Sequence, residues 1–363
     1  YVKQQMESLP LGGILKYLTI VASPEAIPIA RPNVAYPVAL CGDSLFYQVQ
    51  RFIDIDIVRK DLRTGAEEYQ TTNGRMQFAP ACSQDIVAWV DEETWGDIYY
   101  RDLRTGTTIR LTGSGEDLAG QHRPAVYGRK IVWQDYRNGN WDIYMHDAAT
   151  GTTRRVTSEA ANQESPGIWD RYIVWQQDVG NWEIYAYDTQ TGSTFAVTTD
   201  PRSQERPSIW SNKIVYCDNR NGQWDVYMSW LDGARAAGER RITTNLGMQW
   251  RPRIHSDKIV WQDNRNGNWD IYMHDLNTGT EQRITYEAID QVLPTIWEDK
   301  IAWLERSEEG WWYICIHNIS TGSRSRVAQT EVSADDGALW LEVDGRYYGS
   351  TQNMGHQDIA TGR

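Results

Sequence analysis

The 363-residue chain carries 36 Lys and Arg against 49 Asp and Glu, a formal net charge of −13. An acidic surface of that kind repels polyanions, which argues against a nucleic-acid binder. Hydrophobic residues are 40% and charged residues 23% of the chain; with no run of 18 apolar residues, neither a membrane span nor wholesale disorder is expected.

The outliers in composition are 18 Trp and 20 Tyr against 4 Phe, with 29 Gly spread along the chain. Near the N-terminus, LGGILKYLTIVA at 11–22 has the length of a signal-peptide core. Lys16 interrupts it, and neither a cationic leader nor a small-residue cleavage pattern accompanies it, so that reading is set aside. Tyr1 as first residue fits a chain that begins after processing. From about residue 31 to 328 one unit recurs seven times. IVWQDYRNGNWDIYMHDAATGTTRRVT at 131–157 and IVWQDNRNGNWDIYMHDLNTGTEQRIT at 259–285 are near copies, and related strings begin at 45, 86, 173, 214 and 301. A proline opens each unit (Pro37, Pro80, Pro124, Pro166, Pro207, Pro252, Pro294), at separations of 41 to 45 residues.

Within a unit the pattern predicts four short strands. The segment after the proline is the first, and KIVWQD, rich in β-branched and aromatic residues, is the second. Asn-Gly in NRNGN supplies a tight hairpin turn, WDIYMHDL is the third strand, TG turns again, and EQRIT is the fourth. Four antiparallel strands per 42 or so residues is the signature of a β-propeller blade. Residues 332–363 hold ALWLEV and RYYGS, which read as the second and third strands of a partial last blade. Its fourth strand is expected at 13–20, because Gly13 precedes Thr19 at the spacing of Gly279 and Thr285. The prediction is therefore a single all-β domain over 1–363, a propeller of eight four-stranded blades closed by strands from both termini. A seven-bladed ring with an irregular tail is the alternative.

The string WQDNRNGNWDIYMHDLNTG to EQRIT, with its second-strand aromatic, D-x-R-x-G hairpin, D-I-Y strand and TG turn, resembles the repeats of TolB-type β-propellers. The resemblance covers about 31–328. It implies the propeller fold, and a function among those such propellers serve: periplasmic partner binding, surface proteins, or the gating domains of some peptidases. Eight blades would depart from the six of TolB itself, so no partner carries over, and no peptidase domain accompanies the repeats.

Most tryptophans lie in repeat register. Trp89, Trp133, Trp175, Trp261 and Trp303 sit on the second strand, Trp141, Trp182, Trp224, Trp269 and Trp312 before the third, and Trp169, Trp210 and Trp297 after the proline. Inter-blade packing accounts for these, and Trp340 joins the second-strand set. Trp95, Trp230, Trp250 and Trp311 stand outside the register, and Trp250 is the preferred candidate for a recognition platform. Asp56, Asp97, Asp142, Glu183, Asp225 and Asp270 share one position before the third strand and read as acceptors of backbone N–H groups rather than as a metal site. The pairs Asp135 with Arg137, Asp218 with Arg220 and Asp263 with Arg265 read as ion pairs that fix the hairpins.

A third register supplies the candidate binding site. Gln77, Gln121, Gln163, Gln204, Gln249 and Gln291 each stand three residues before a proline, with Arg123, Arg206 and Arg251 two positions further on. In a propeller this loop lies at the mouth of the central channel, so a polar collar for a peptide or glycan is expected there. The other reading is that each Gln bonds the backbone of the next blade.

No catalytic residue, metal site or cofactor is predicted: the sequence has no G-x-S-x-G, no H-E-x-x-H and no phosphate loop. His146, His274 and His317 share a strand register. Cys41 and Cys82, near the ends of first strands in adjacent units, are placed by register to bridge, in keeping with an exported protein. The chain is thus expected to be a secreted, surface or periplasmic module that binds a protein or glycan. The alternatives are a subunit of an extracellular filament through exchange of the N-terminal strand, and a glycan hydrolase or lyase built from scattered carboxylates.

Overall fold

The computed structural model describes residues 37–51, 54–92, 96–113, 120–307, 312–330, 339–343 and 346–350. Seven four-stranded antiparallel sheets follow one another along the chain, each built from four consecutive strands. Blade 6 is representative, with strands Gln249–His255, Lys258–Asp263, Asp270–Asp275 and Thr280–Arg283. Its Asn266-Gly267 turn has the expected left-handed glycine, with φ 96°. The innermost strands are Ala39–Cys41, Gln77–Cys82, Gln121–Tyr127, Gln163–Trp169, Gln204–Trp210, Gln249–His255 and Gln291–Trp297. Each lies against its successor, and the last lies against the first.

Seven apolar clusters fill the seven interfaces between neighbouring blades. Successive side chains on a strand point to opposite faces, and in KIVWQD both faces are buried. Thus Val260 packs toward blade 7 with Ile296 and Trp303, whereas Trp261 packs toward blade 5 with Val215 and Met228. This is why the second strands read as continuous apolar runs. The register tryptophans Trp89, Trp133, Trp175, Trp261 and Trp303 are at most 1% exposed, as inter-blade packing requires.

The eight-blade expectation is corrected. Leu40, Leu45 and Tyr47 of blade 1 share a core with Leu293, Leu304 and Ile314 of blade 7, so the ring is full at seven. Leu339–Val343 and Arg346–Ser350 do pair as a hairpin, but in a two-stranded sheet of their own. The strings were blade-like in local pattern, and local pattern does not count how many wedges close a circle. The proposed closing strand at 13–20 lies outside the described residues. Cys41 and Cys82 are disulfide-bonded and join the innermost strands of blades 1 and 2.

The other repeated residues secure the blades. Thr157 Oγ1 accepts the Ile143 N–H at 2.8 Å, and Thr198 does the same for Ile184 while donating to Glu183 at 2.6 Å. The acidic register is structural as expected, and side chains are among its partners. Asp142 pairs with Arg155 at 2.8 Å and accepts from Asn138 at 2.8 Å. The hairpin ion pairs form: Asp135–Arg137 and Asp218–Arg220 each at 2.6 Å, Asp263–Arg265 at 2.5 Å. The same Asp135 and Asp263 also accept the indole N–H of Trp133 and Trp261.

Candidate functional site in the central channel

Each innermost strand from blade 2 onward carries a β-bulge at its proline. The register slips between Trp250 and Arg253 in blade 6, and at the same place in the other five. The residue just before the proline is left-handed in all six: Ala79, Arg123, Ser165, Arg206, Arg251 and Leu293 have φ between 52° and 60°. Such backbone costs on the order of 1 kcal/mol or more for a residue with a side chain, and persists only where surroundings hold it. Here the hold comes from the preceding blade. Gln134 Oε1 accepts the Ser165 N–H, Gln176 the Arg206 N–H and Gln262 the Leu293 N–H, at 2.9 to 3.0 Å. A bulge re-aims the side chains around it, and Arg123, Arg206 and Arg251 line the channel.

The six predicted glutamines do not. All are 0% exposed, and none lines the cavity. The backbone N–H groups of Gln163, Gln249 and Gln291 donate to Trp141, Trp224 and Trp269 of the preceding blade at 2.7 to 2.8 Å, and Gln121 donates to Gly96 in the same way at 3.0 Å. The carboxamides of Gln249 and Gln291 donate to Gly247 and Ile289 two residues back; those of Gln163 and Gln204 reach Ala161 and Arg202, and that of Gln77 reaches Asn73 and Asp91. The glutamines expected as a collar are thus buried away from the channel, and four of them tie their backbone N–H to the preceding blade. Trp250 is also 0% exposed, edge-on to Trp224 at 4.8 Å, with the Arg206 guanidinium 5.8 Å from its ring. It backs an arginine instead of offering a platform.

The channel encloses about 1600 Å³ and has two zones along the strand direction. Arg123, Arg206 and Arg251 stand near the start of their strands, and Arg253 follows midway, with Glu92 and Glu164 also in the lining. Burial, with the like charges of Arg206 and Arg123, pushes the Arg253 guanidinium down to about 10. At the other end, the third residue after the proline is aromatic in five consecutive blades: Tyr127, Trp169, Trp210, His255 and Trp297. These rings touch in sequence with tilted planes, their centroids 4.5 Å apart for Tyr127–Trp169, 3.6 Å for Trp169–Trp210, 3.7 Å for Trp210–His255 and 4.9 Å for His255–Trp297. His255 Nδ1 accepts the Glu298 N–H at 3.1 Å. Burial, and then Lys258, hold His255 down at about 4, so it is neutral at pH 7. The two zones are four residues apart on the strand, roughly 13 Å.

Sequence reading assigned Trp169, Trp210 and Trp297 to packing and passed over Tyr127 and His255. The available signal was the shared offset from the proline, which unites all five despite their different identities. Arg253 carried no register signal, since it is peculiar to blade 6. Among the described residues, no group of three or more His, Cys, Asp or Glu could hold a metal ion, and no helix is long and apolar enough to cross a membrane.

No family model matches the sequence, and no curated protein does. Solved structures do match. TolB from Acinetobacter baumannii is 16% identical over 79% of each chain, with a TM-score of 0.52, and the putative TolB from Agrobacterium tumefaciens is similar at 15% and 0.50. The chain folds as a TolB-type β-propeller. The β-propeller domain of the Trilobed protease from Pyrococcus furiosus, described as having an open velcro topology, matches this TolB-type propeller at a TM-score of 0.63 and 13% identity, over 84% of this chain and 98% of that one. A puromycin-hydrolyzing peptidase from Mycobacterium tuberculosis matches at 0.65 and 11%, over 86% of this chain but 56% of its own. At these identities the likeness is one of fold.

Proposed function

We propose that this TolB-type propeller is a non-enzymatic binding module, exported to the periplasm or cell surface, whose central channel receives a segment of a partner protein. The observation that carries the reading is the two-zone lining: a run of aromatic rings in tilted contact at one end of the cavity and arginines between it and the other mouth. Concave sites of this kind, apolar with a few convergent polar groups, are where ligands bind, and rigid aromatics anchor them at little entropic cost. The Cys41–Cys82 bridge supports an oxidising location.

A peptide is favoured over a glycan because cations accompany the aromatics, and a neutral glycan makes no use of them. The filament reading loses its motive, because residues 37–330 close seven complete blades with no strand wanting. The test is to select a displayed peptide library against the intact chain and measure the selected peptides on Trp210→Ala and Trp169→Ala. At least tenfold weaker binding to these variants is expected. Undiminished binding, or a failure to select any peptide while a glycan array gives a ligand, overturns the proposal. Cleavage of a selected peptide would replace a binding module with a hydrolase.

A further inference from the structure

The aromatic row at the channel mouth has unmet hydrogen bonds of a single kind. His255 is 6% exposed. Its Nδ1 accepts the Glu298 N–H at 3.1 Å, which puts the ring proton on Nε2, and that N–H has no partner among the described residues. The indole N–H groups of Trp89, Trp250, Trp297 and Trp303 are likewise buried and unpartnered, and of these four residues Trp297 alone lines the channel. The indoles of Trp169 and Trp210, also in the lining, make ring contacts and find no acceptor among the described residues. By contrast, Trp133, Trp175 and Trp261, which lie between blades, donate to Asp135, Gln177 and Asp263 at 2.9 to 3.2 Å. An indole nitrogen donates and never accepts. The ring nitrogens that remain open along this row are therefore donors throughout, and buried donors are costly to leave unpaired.

A ligand that complements such a row brings acceptors without donors, on an apolar frame. An ordinary extended peptide brings an N–H for every carbonyl, and a sugar hydroxyl brings its own proton, so either sets donor against donor. Proline has a carbonyl and no N–H. The ring planes also turn by 42° to 52° from one neighbour to the next, which makes a corrugated strip instead of the flat plate on which a sugar stacks. Angular pyrrolidine rings fit the valleys of such a strip. We infer that the row binds a proline-rich stretch of the partner segment in the polyproline II form, its carbonyls accepting from His255 Nε2 and from the indoles of Trp169, Trp210 and Trp297. That helix has no internal hydrogen bonds, so its carbonyls are free, and it is already stiff before it binds, so little ordering entropy is lost. The inference rests on the channel being a binding site for a protein segment, and it names the composition of the part that meets the rings.

The experiment is calorimetric titration of the full chain with three probes: an end-capped decaproline, an end-capped glycine-serine decapeptide, and cellohexaose. Each is repeated on His255→Phe and Trp297→Phe, which keep a ring and remove an N–H, and on Trp210→Ala, with thermal melting to show that each variant is folded. Decaproline is expected to bind and the glycine-serine peptide not. His255→Phe and Trp297→Phe should each weaken decaproline by about threefold to tenfold, the loss of one hydrogen bond, and Trp210→Ala by about tenfold or more. The two Phe variants are read independently, so one that fails to fold leaves the other to decide. Decaproline bound equally by the parent and by the folded Phe variants overturns the inference, since rings that serve only as packing do not need their N–H groups. Silence of decaproline overturns it too, as does binding of cellohexaose that Trp210→Ala removes. If library peptides that need Trp210 are selected and hold no proline, the proline assignment fails while the channel remains a binding site for a protein segment. If decaproline is silent and no peptide is selected, both readings fall.

Discussion

The carboxamide oxygen of Gln176 in blade 4 accepts the backbone N–H of Arg206 in blade 5 at 2.9 Å, with both groups buried. One blade thereby fixes the left-handed bulge from which the next blade aims an arginine into the channel. Gln176→Leu leaves that N–H without a partner, at a cost of about 1–3 kcal/mol. Urea denaturation should register a lower midpoint with an unchanged slope. A midpoint equal to the parent's would mean that the bulge is held by its proline alone.

The Cys41–Cys82 bridge closes a loop with a sequence separation of 41 residues, for which the chain-entropy account gives about 4 kcal/mol of stabilisation. The double variant Cys41→Ala, Cys82→Ala should lose about 2–4 kcal/mol in guanidinium titrations, and reductant should lower the melting temperature of the parent but not of the variant. Cys217 and Cys315 are buried free thiols. They should react with a thiol reagent only after denaturation.

Acid should weaken the ring through His255. Its folded value, held near 4 by burial and Lys258, lies below the ordinary value of about 6.5. Between those limits the unfolded chain binds a proton that the folded chain does not, so stability rises with pH across the window and is lost as pH falls from about 6.5 to 4. The histidine's share is up to about 3 kcal/mol. His146, His274 and His317 are shifted the same way by burial and add to the slope. His255→Phe, which keeps an aromatic ring in the row, should flatten the pH dependence of the melting temperature over this interval. An unaltered profile would assign the acid sensitivity to the strand histidines.

In the blade 6 hairpin, Arg265 pairs with the fully buried Asp263, reaches Glu281 at 2.6 Å and lies 4.2 Å above the ring of Tyr272. Arg265→Ala strands a buried carboxylate that keeps only its N–H partners, and should cost about 2–4 kcal/mol. Arg235→Ala, whose partner Asp232 is largely exposed, should change stability by less than about 0.5 kcal/mol. Denaturant titration of both variants measures the contrast.

The blade was readable in the chain because its strands, turns and capping residues are local and recur seven times. The inner-strand proline, the Asn-Gly turn and the Asp-x-Arg pair each impose their geometry on a few neighbours. The blade number was not, because it depends on how Leu40 and Tyr47 meet Leu293 and Ile314 more than two hundred residues away. The channel was misread for a related reason. Gln249 and Arg251 are two residues apart, and in an ordinary strand both would face the same way. The bulge at Arg251 breaks that alternation, burying the glutamine and turning the arginine inward. A left-handed residue before proline leaves no mark in the amino-acid string. The repeated second-strand glutamines Gln134, Gln176 and Gln262, which hold the bulge, were visible but carried no hint of a partner one blade away.

Blade 7 meets blade 1 through side chains: the shared apolar core and the Lys300–Asp43 pair at 3.3 Å. No strand pairing spans this junction among the described residues, and the disulfide lies one interface further round. A ring knotted by a shared sheet admits only what can be threaded through its hole. Among the described residues this junction has the construction of a clasp, since parting blades 1 and 7 there breaks no ladder of backbone hydrogen bonds.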